Sequence, residues 1–268
     1  MTNEDRLIKI ENSITLEYGD KIWKKVLSGI EEYKLINQGD KIAVCISGGK
    51  DSMILAKCMQ LLVKKGIYNF EAVFMVMDPG YNPKNREMIE NNAKILNVPI
   101  KIFNSNIFEV VHEVIESPCY LCARMRRGYL YKNAKDLGCN KIALGHHFDD
   151  VIETILMGML YNGQIQSMMP KLHSSNFEGM ELIRPLYKVK EKDIISWKDY
   201  NNLKFIQCAC RFTENNHNTV VLSSKRQEMK ELIKKLTADS KIDDNIFNSM
   251  YNLNLDEIIG YKKNGEKC

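Results

Sequence analysis

Long apolar runs are missing from this sequence. No stretch approaches the ~18 uninterrupted apolar residues that span a bilayer. Met1 to Ile10 carries charges throughout, where a secretory leader would place an apolar segment. Proline and glycine are scarce, at 6 and 15 of 268 residues, which excludes a fibrous or low-complexity chain. Charge of one sign is lacking as well. Lys and Arg number 38 against 34 Asp and Glu, a net of +4 that permits a polyanionic partner without demanding one. There is no internal repeat. What remains, 44% apolar and 27% charged over 268 residues, suits one large domain or a domain with a smaller appendage. These features predict a soluble, cytoplasmic protein with no membrane partner.

Short apolar runs alternate with longer amphipathic segments. Lys41 to Ile46 (KIAVCI), Phe70 to Met77, Pro99 to Phe103, Lys141 to Leu144 and Glu181 to Arg184 read as buried strands. Helices are predicted over 53–65, 84–96, 122–137, 149–161 and 189–200, with further helix in the first forty residues and from Ser223 onward. Strands alternating with helices of ten or more residues predict an α/β fold: a parallel sheet with helices on both faces.

Ser47-Gly48-Gly49-Lys50-Asp51-Ser52 sits between the first strand and the following helix. Two glycines let the backbone bend sharply and bring its N–H groups close to an anion. The helix N-terminus adds unpaired donors and positive partial charge. Lys50 supplies a mobile cation, and Ser47 and Ser52 supply hydroxyls. Asp51 among phosphate-binding groups makes sense if it holds Mg²⁺ or caps the helix. The Walker A pattern is excluded, because the residue after the lysine is acidic and the first glycine is differently spaced.

Gly145-His146-His147-Phe148-Asp149-Asp150-Val151-Ile152-Glu153-Thr154 follows the fourth strand directly. Ligands of open parallel sheets lie beyond the carboxyl ends of the strands, so both segments are expected on one rim. Two acids opening a helix can cap it, bind Mg²⁺, or do both.

Eight cysteines in a chain without an export signal point away from a disulfide framework and toward metal binding or thiol chemistry. Cys45, Cys58 and Cys139 read as small buried hydrophobes, and Cys268 is terminal. Cys119 and Cys122, separated by two residues, have the spacing that lets two sulfurs grip one metal or cluster. Cys208-Ala209-Cys210 offers a third and a fourth ligand. Four thiolates make a closed zinc site, whereas three leave one position open. Arg124, Arg126 and Arg127 read as either a solvated cationic face or a phosphate clamp for nucleotide or RNA. Lys171, Arg184, Lys188, Lys190 and the basic tail could track an RNA backbone. Met157, Met159, Met168 and Met169 read as packing.

SGGKDS after a strand resembles the PP-loop of the N-type ATP pyrophosphatases, and the segment from Gly145 to Thr154 resembles the GHxxDDxxET signature of PP-loop enzymes that work on tRNA. Pro118 to Gly128 (PCYLCARMRRG) is very similar to the tRNA 2-thiocytidine synthetases. The likeness continues through Met169 to Leu172, Ile183 to Leu186 and Glu191-Lys192-Asp193, spanning about residues 20 to 255.

This resemblance implies a Rossmann-like PP-loop ATP pyrophosphatase domain over 39–222, between an N-terminal helical extension (1–38) and a C-terminal helical tail (223–268). It implies ATP and Mg²⁺ as cofactors, held by Ser47, Gly48, Gly49, Lys50, Asp51, Ser52, Gly145 and His146. Asp51 and Asp150 would contact the metal; Lys50, Asp51 and Asp150 would be catalytic. It also implies a [4Fe-4S] cluster on Cys119, Cys122 and Cys208. Here the chain departs from the family's second CxxC, so Cys210 stands as an alternative or fourth ligand. The implied reaction adenylates a cytidine C2 oxygen in tRNA and replaces it with sulfur, giving 2-thiocytidine, AMP and pyrophosphate. Arg124, Arg126 and Arg127 would contact RNA, a cysteine desulfurase would supply sulfur, and the protein would be a homodimer. The competing readings are a lysidine or 2-thiouridine synthetase, a zinc-stapled ATP-binding module, and an ATP-responsive iron–sulfur sensor.

Overall fold

β1 (Asp40–Ile46) and β2 (Phe70–Asp78) are the two longest strands, and both are nearly continuous apolar runs because each has two faces to bury. Along β1, Ile42, Val44 and Ile46 join one buried cluster while Ala43 and Cys45 join another, the alternation a pleated strand imposes. The computed structural model describes residues 2–112, 118–206, 225–237, 241–263 and 266–267. The chain divides into two units, one of residues 1–148 and 169–221 and a second of 149–168 and 222–268.

The first unit holds a six-stranded sheet in the order β3-β2-β1-β4-β6-β5, completed by β3 (Ile100–Asn104), β4 (Lys141–Ala143), β5 (Lys171–His173) and β6 (Glu181–Ile183). All neighbours are parallel except β5, which runs antiparallel to β6. The expected strands form within a residue or two of their anticipated positions. β5 is an addition that sequence periodicity missed. One face of β1 packs against α3 (Lys50–Lys64), and Ile194 and Trp197 of α8 (Glu191–Tyr200) join the same cluster. The other face meets Tyr131 and Ala134 of α6 (Pro118–Asp136). Both faces are covered, as expected. α4 (Pro83–Ile95) and α5 (Ile107–His112) complete the crossovers, α4 starting with Asn82 as cap and Pro83 in its first turn.

The N-terminal helix is interrupted where sequence reading placed unbroken helical periodicity. α1 (Asn3–Asn12) and α2 (Lys24–Glu32) are joined by two wider π-type windings, Ser13–Glu17 and Gly19–Trp23. Ser13 shows what the first winding accommodates. Its buried hydroxyl donates to the Ile10 carbonyl and accepts from Trp197 Nε1 and Asn201 Nδ2, filling its whole hydrogen-bonding capacity.

The amino-terminal rim of the sheet is pinned by a buried lysine. Lys141, 1% exposed, opens β4 and places Nζ 2.7 Å from Asp40 of β1, 3.1 Å from Glu181 of β6 and 2.9 Å from the Leu35 carbonyl. Burial raises the pKa of Asp40, but Lys141, the Asn37 N–H and Asn140 more than offset it and hold the carboxyl below its ordinary value. This contribution to stability is therefore present above the unfolded carboxyl pKa of about 4 and is lost as pH falls through the lower native value. Lys141→Met is expected to cost about 3–5 kcal/mol at pH 7, because it strands a buried carboxylate. The loss should shrink at acid pH as Asp40 takes a proton, and urea unfolding at pH 7 and pH 4 would measure both.

The second unit contains α7 from Asp149 to its end (the helix is Phe148–Asn162), α9 (Lys225–Leu236), α10 (Ile242–Ser249) and a short hairpin of Lys262–Lys263 with Glu266–Lys267. Among the described residues no helix is long and apolar enough to cross a membrane.

Candidate active site

The turn from β1 into α3 is shaped by contacts that only glycine permits. Gly48 has φ +86°, and a Cβ there would lie 2.7 Å from Ile89 Cγ1 and 2.9 Å from Ile206 Cδ1. The Gly48 carbonyl accepts from the Ile206 N–H at 3.2 Å. Gly49 takes the N-cap position of α3 in extended conformation, with no side-chain cap, so the first-turn N–H groups face outward without a capping side chain. Ser52 Oγ accepts from the Ser47 N–H at 3.1 Å and donates to the Gly49 carbonyl at 2.9 Å, with the Ser47 hydroxyl 3.2 Å away. Both serines thus brace the loop.

Lys50 reaches Asp51 Oδ2 at 3.1 Å and Glu191 Oε1, from the first turn of α8, at 2.8 Å. Burial pulls its ammonium pKa down, but the two carboxylates outweigh burial and hold it above the ordinary value. Asp51 Oδ1 is buried with no hydrogen-bond partner, and His147 Nε2 lies 3.7 Å from it. A buried carboxylate oxygen in this state fits a hard divalent cation such as Mg²⁺. Among the described residues, no group of three or more His, Cys, Asp or Glu side chains is gathered into a complete metal site.

The second motif enters through Gly145. A Cβ at this position would lie 3.0 Å from the carbonyl carbon and oxygen of Asp51 and from the Ser52 nitrogen. The segment after β4 therefore rests directly on the first turn of α3. His147 is buried beside Asp51, whereas His146 accepts at Nδ1 from Arg184 Nε at 3.2 Å. Arg184, only 7% exposed, also donates to the Met169 carbonyl. This corrects the expectation that Arg184 tracks an RNA backbone: its guanidinium is used inside the fold. Lys171 is paired with Glu181 and Lys188 with Glu32, so these cations too are engaged locally.

The first cysteine pair lies at the start of α6. Cys122 is half-buried and packs against apolar residues around Met77, Ile107 and Val111. Arg124 and Arg127 are exposed on the same helix, and Arg126 is half-buried. Tyr81 braces the phosphate loop. Its hydroxyl donates to the Ser47 carbonyl at 3.2 Å. Burial raises its pKa first, with Arg126 lowering it and Asp78 and Cys122 raising it, so all three lie within electrostatic reach. Asp78 at the end of β2 fixes the turn by accepting from the N–H groups of Gly80 (2.8 Å) and Tyr81 (2.7 Å). The Cys119 side chain, Cys208 and Cys210 lie outside the described residues. Ile206, two positions before Cys208, is fastened to Gly48 as described.

Cys45 and Cys58 are buried, and burial pushes both thiols up to about 12. They behave as the apolar packing residues expected.

Asp150 belongs to the second unit. It lies in the first turn of α7, its carbonyl accepts from Thr154 Oγ1 at 2.7 Å, and its carboxylate is 3.2 Å from Arg226 of α9. Glu153, 1% exposed, accepts from Arg226 Nε at 2.7 Å. Burial raises the Glu153 pKa and Arg226 opposes this. Arg226→Ala would leave Glu153 buried with Lys230, 3.9 Å away, as its remaining cation among the described residues. A loss of about 1–3 kcal/mol in urea unfolding is expected.

Glu191, Tyr81 and Arg226 were not singled out as site residues by sequence reading. The Glu191-Lys192-Asp193 helix start was the one available signal for Glu191.

A family model described as the PP-loop domain matches residues 21–219. The tRNA-cytidine(32) 2-sulfurtransferase of Coxiella burnetii is 34% identical over 249 residues, covering 90% of this chain and 93% of that protein. That of Syntrophotalea carbinolica is 35% identical over 228 residues, covering 82% and 85%. That of Neisseria meningitidis is 40% identical over 182 residues, which is 67% of this chain and 57% of the relative's length. Among solved structures, the U34-tRNA thiolase NcsA from Methanococcus maripaludis with its [4Fe-4S] cluster superposes with TM-score 0.66 at 20% identity. The match covers 90% of this chain and 80% of that one, and establishes a shared fold.

Proposed function

The chain belongs to the PP-loop family and, within it, to the tRNA-cytidine(32) 2-sulfurtransferases, and from that premise we propose that it is an ATP-dependent tRNA thiolation enzyme that makes 2-thiocytidine. One observation carries this reading beyond kinship. The phosphate loop is fastened on one side to Tyr81, which lies within reach of Cys122 and Arg126, and on the other to Ile206, two residues before Cys208. These two contacts support the reading that nucleotide grip and thiol chemistry share one rim of the sheet.

Replacing a ring oxygen by sulfur requires the oxygen to become a leaving group. In the proposed reaction, the cytidine C2 oxygen attacks the α-phosphorus of ATP, forming an O–P bond and releasing pyrophosphate. Sulfide then adds at C2, the C–O bond breaks, and AMP departs with the oxygen. The α3 first turn and Lys50 would offset charge on the departing pyrophosphate, Lys50 exchanging its contact with Glu191 for phosphate oxygens. Asp51, with its unpartnered Oδ1, and Asp150 would hold Mg²⁺, which supplies charge neutralisation at the phosphates when bound. Cys119, Cys122 and Cys208, with Cys210 as the alternative, would hold a [4Fe-4S] cluster whose open iron supplies a place for sulfide. The half-buried, apolar surroundings of Cys122 fit such a group. Gly145 and His147 keep Asp51 in place, and Arg184 orients His146. Arg124, Arg126 and Arg127 would meet the RNA. The reading extends to a cysteine desulfurase as sulfur source, a homodimer, and work in the cytoplasm.

The test is anaerobic incubation with ATP and tRNA, followed by nucleoside mass spectrometry and measurement of AMP and pyrophosphate. 2-Thiocytidine with stoichiometric AMP is the expected product. 2-Thiouridine or lysidine in its place would sink the assignment, and ATP binding without turnover would favour a sensor. Asp51→Ala and Asp150→Ala are expected to lower tRNA-dependent AMP formation by at least ~10²-fold.

A further inference from the structure

Glu191 works against an anion at a site otherwise built to take one. Gly49 leaves the first turn of α3 without a capping side chain, and Lys50 is the cation of the loop. Yet Lys50 Nζ is held 2.8 Å from Glu191 Oε1 and 3.1 Å from Asp51 Oδ2, so one ammonium faces two carboxylates. Asp51 has a separate reason to be there, since its Oδ1 is buried with no hydrogen-bond partner and fits a cation. Glu191 Oε1, by contrast, is spent on Lys50 itself.

Two observations bear on what that contact does. The start of α8 is anchored, so the carboxylate stays within reach of Lys50. Ile194 and Trp197 are 0% exposed, Trp197 Nε1 donates to Ser13 Oγ at 3.0 Å, and the Val189 carbonyl accepts from the Phe148 N–H at 2.9 Å. The second is the length of the contact. A separation of 2.8 Å is that of a charge-assisted hydrogen bond, the distance at which a phosphate oxygen would meet the same ammonium. With side chains 23% and 22% exposed, Lys50 and Glu191 are only partly screened by solvent. Any phosphate that engages Lys50 must therefore displace a fixed rival.

We propose that Glu191 is a positioning residue that stands in for phosphate on Lys50, holding the ammonium while the site is empty, yielding it to the two outer phosphates of ATP, and reclaiming it as pyrophosphate leaves. The inference deepens the nucleotide role proposed above and rests on that part of it. The exchange swaps one ion pair for another and moves no proton. It weakens the grip on ATP and pyrophosphate alike, and its benefit falls on release of the product.

The test is titration calorimetry of Mg²⁺-pyrophosphate and of AMP on the full-length protein, wild type and Glu191→Gln. Glutamine keeps an oxygen to which Lys50 can donate and removes only the charge, so a merely bracing role predicts no gain in affinity. Pyrophosphate should bind about tenfold more tightly to Glu191→Gln, the scale of one charge-assisted hydrogen bond. AMP, whose phosphate lies outside the pyrophosphate seat, should bind unchanged. In tRNA-dependent AMP formation, the KM for ATP and the inhibition constant of pyrophosphate should fall together. Glu191→Asp keeps the charge but draws it back by one methylene, and should tighten pyrophosphate binding by a smaller factor. Unchanged or weaker pyrophosphate binding in variants of unchanged thermal midpoint would overturn the inference. Equal tightening of AMP would do so too, since it would mark a general effect of charge. Absence of pyrophosphate binding by the wild type would overturn the nucleotide reading and this inference together. A wild type that binds pyrophosphate yet makes no 2-thiocytidine would sink the proposed product alone, and the Glu191→Gln result would still decide the role of Glu191.

Discussion

Cys122→Ala is expected to abolish 2-thiocytidine formation while leaving ATP binding within about twofold of wild type. The thiol is half-buried among Met77, Ile107 and Val111 and their neighbours, so its removal deletes one sulfur from an apolar contact without disturbing the start of α6. The phosphate loop keeps its own braces, Ser52 to Ser47 and Gly49, and Tyr81 to the Ser47 carbonyl. Nucleotide grip and sulfur transfer should thus separate in this variant. Cys45→Ala and Cys58→Ala are the controls, since both side chains are buried in the apolar clusters around the sheet. Iron and acid-labile sulfide per chain, measured anaerobically beside nucleoside mass spectrometry, check the prediction. Full cluster content and full thiolation in Cys122→Ala would show that the sulfur-handling site lies elsewhere.

How much of this was legible in the sequence follows from what each residue must satisfy. β1 and β2 were visible because a strand with both faces covered must be apolar throughout. β5 was not, because Lys171, Leu172 and His173 are too short a run to show a period and occupy an edge. The π-type windings around Ser13 and Gly19 leave the apolar spacing almost helical, so nothing local announces them. In the site, SGGKDS was readable since Gly48 needs a positive φ and bare space against Ile89 and Ile206. Glu191 was not, because its contact with Lys50 spans 141 positions and depends on where α8 docks. Arg184 was misread for a related reason: a cation counted from sequence looks solvated until its partners, here His146 and a carbonyl, are placed beside it. The same holds in the second unit, where Arg226 read as one of several tail cations and is in fact the partner of Asp150 and Glu153.

Gly145→Ala should lower tRNA-dependent AMP formation by about 10²-fold, the scale of a misplacement near 1 Å at reacting groups. The methyl group would press on the carbonyl carbon and oxygen of Asp51 and on the Ser52 nitrogen, each 3.0 Å away. These are backbone atoms in the first turn of α3, so no side-chain rotation relieves the contact. Either the first turn moves, taking Lys50 and the Asp51 carboxylate with it, or the Gly145–His147 segment lifts and carries His147 off Asp51. Both outcomes disturb the seat proposed for phosphate and cation, while overpacking one methyl group costs only about 1–3 kcal/mol of stability. Activity should therefore fall far more than stability. Gly128→Ala supplies the contrast: a Cβ there meets nothing within 4 Å, and α6 should gain about 0.5–1 kcal/mol with unchanged AMP formation. Wild-type rates in Gly145→Ala would mean that the close approach of the two motifs has no bearing on nucleotide chemistry. A loss of rate restored by raising ATP would place the damage in binding alone.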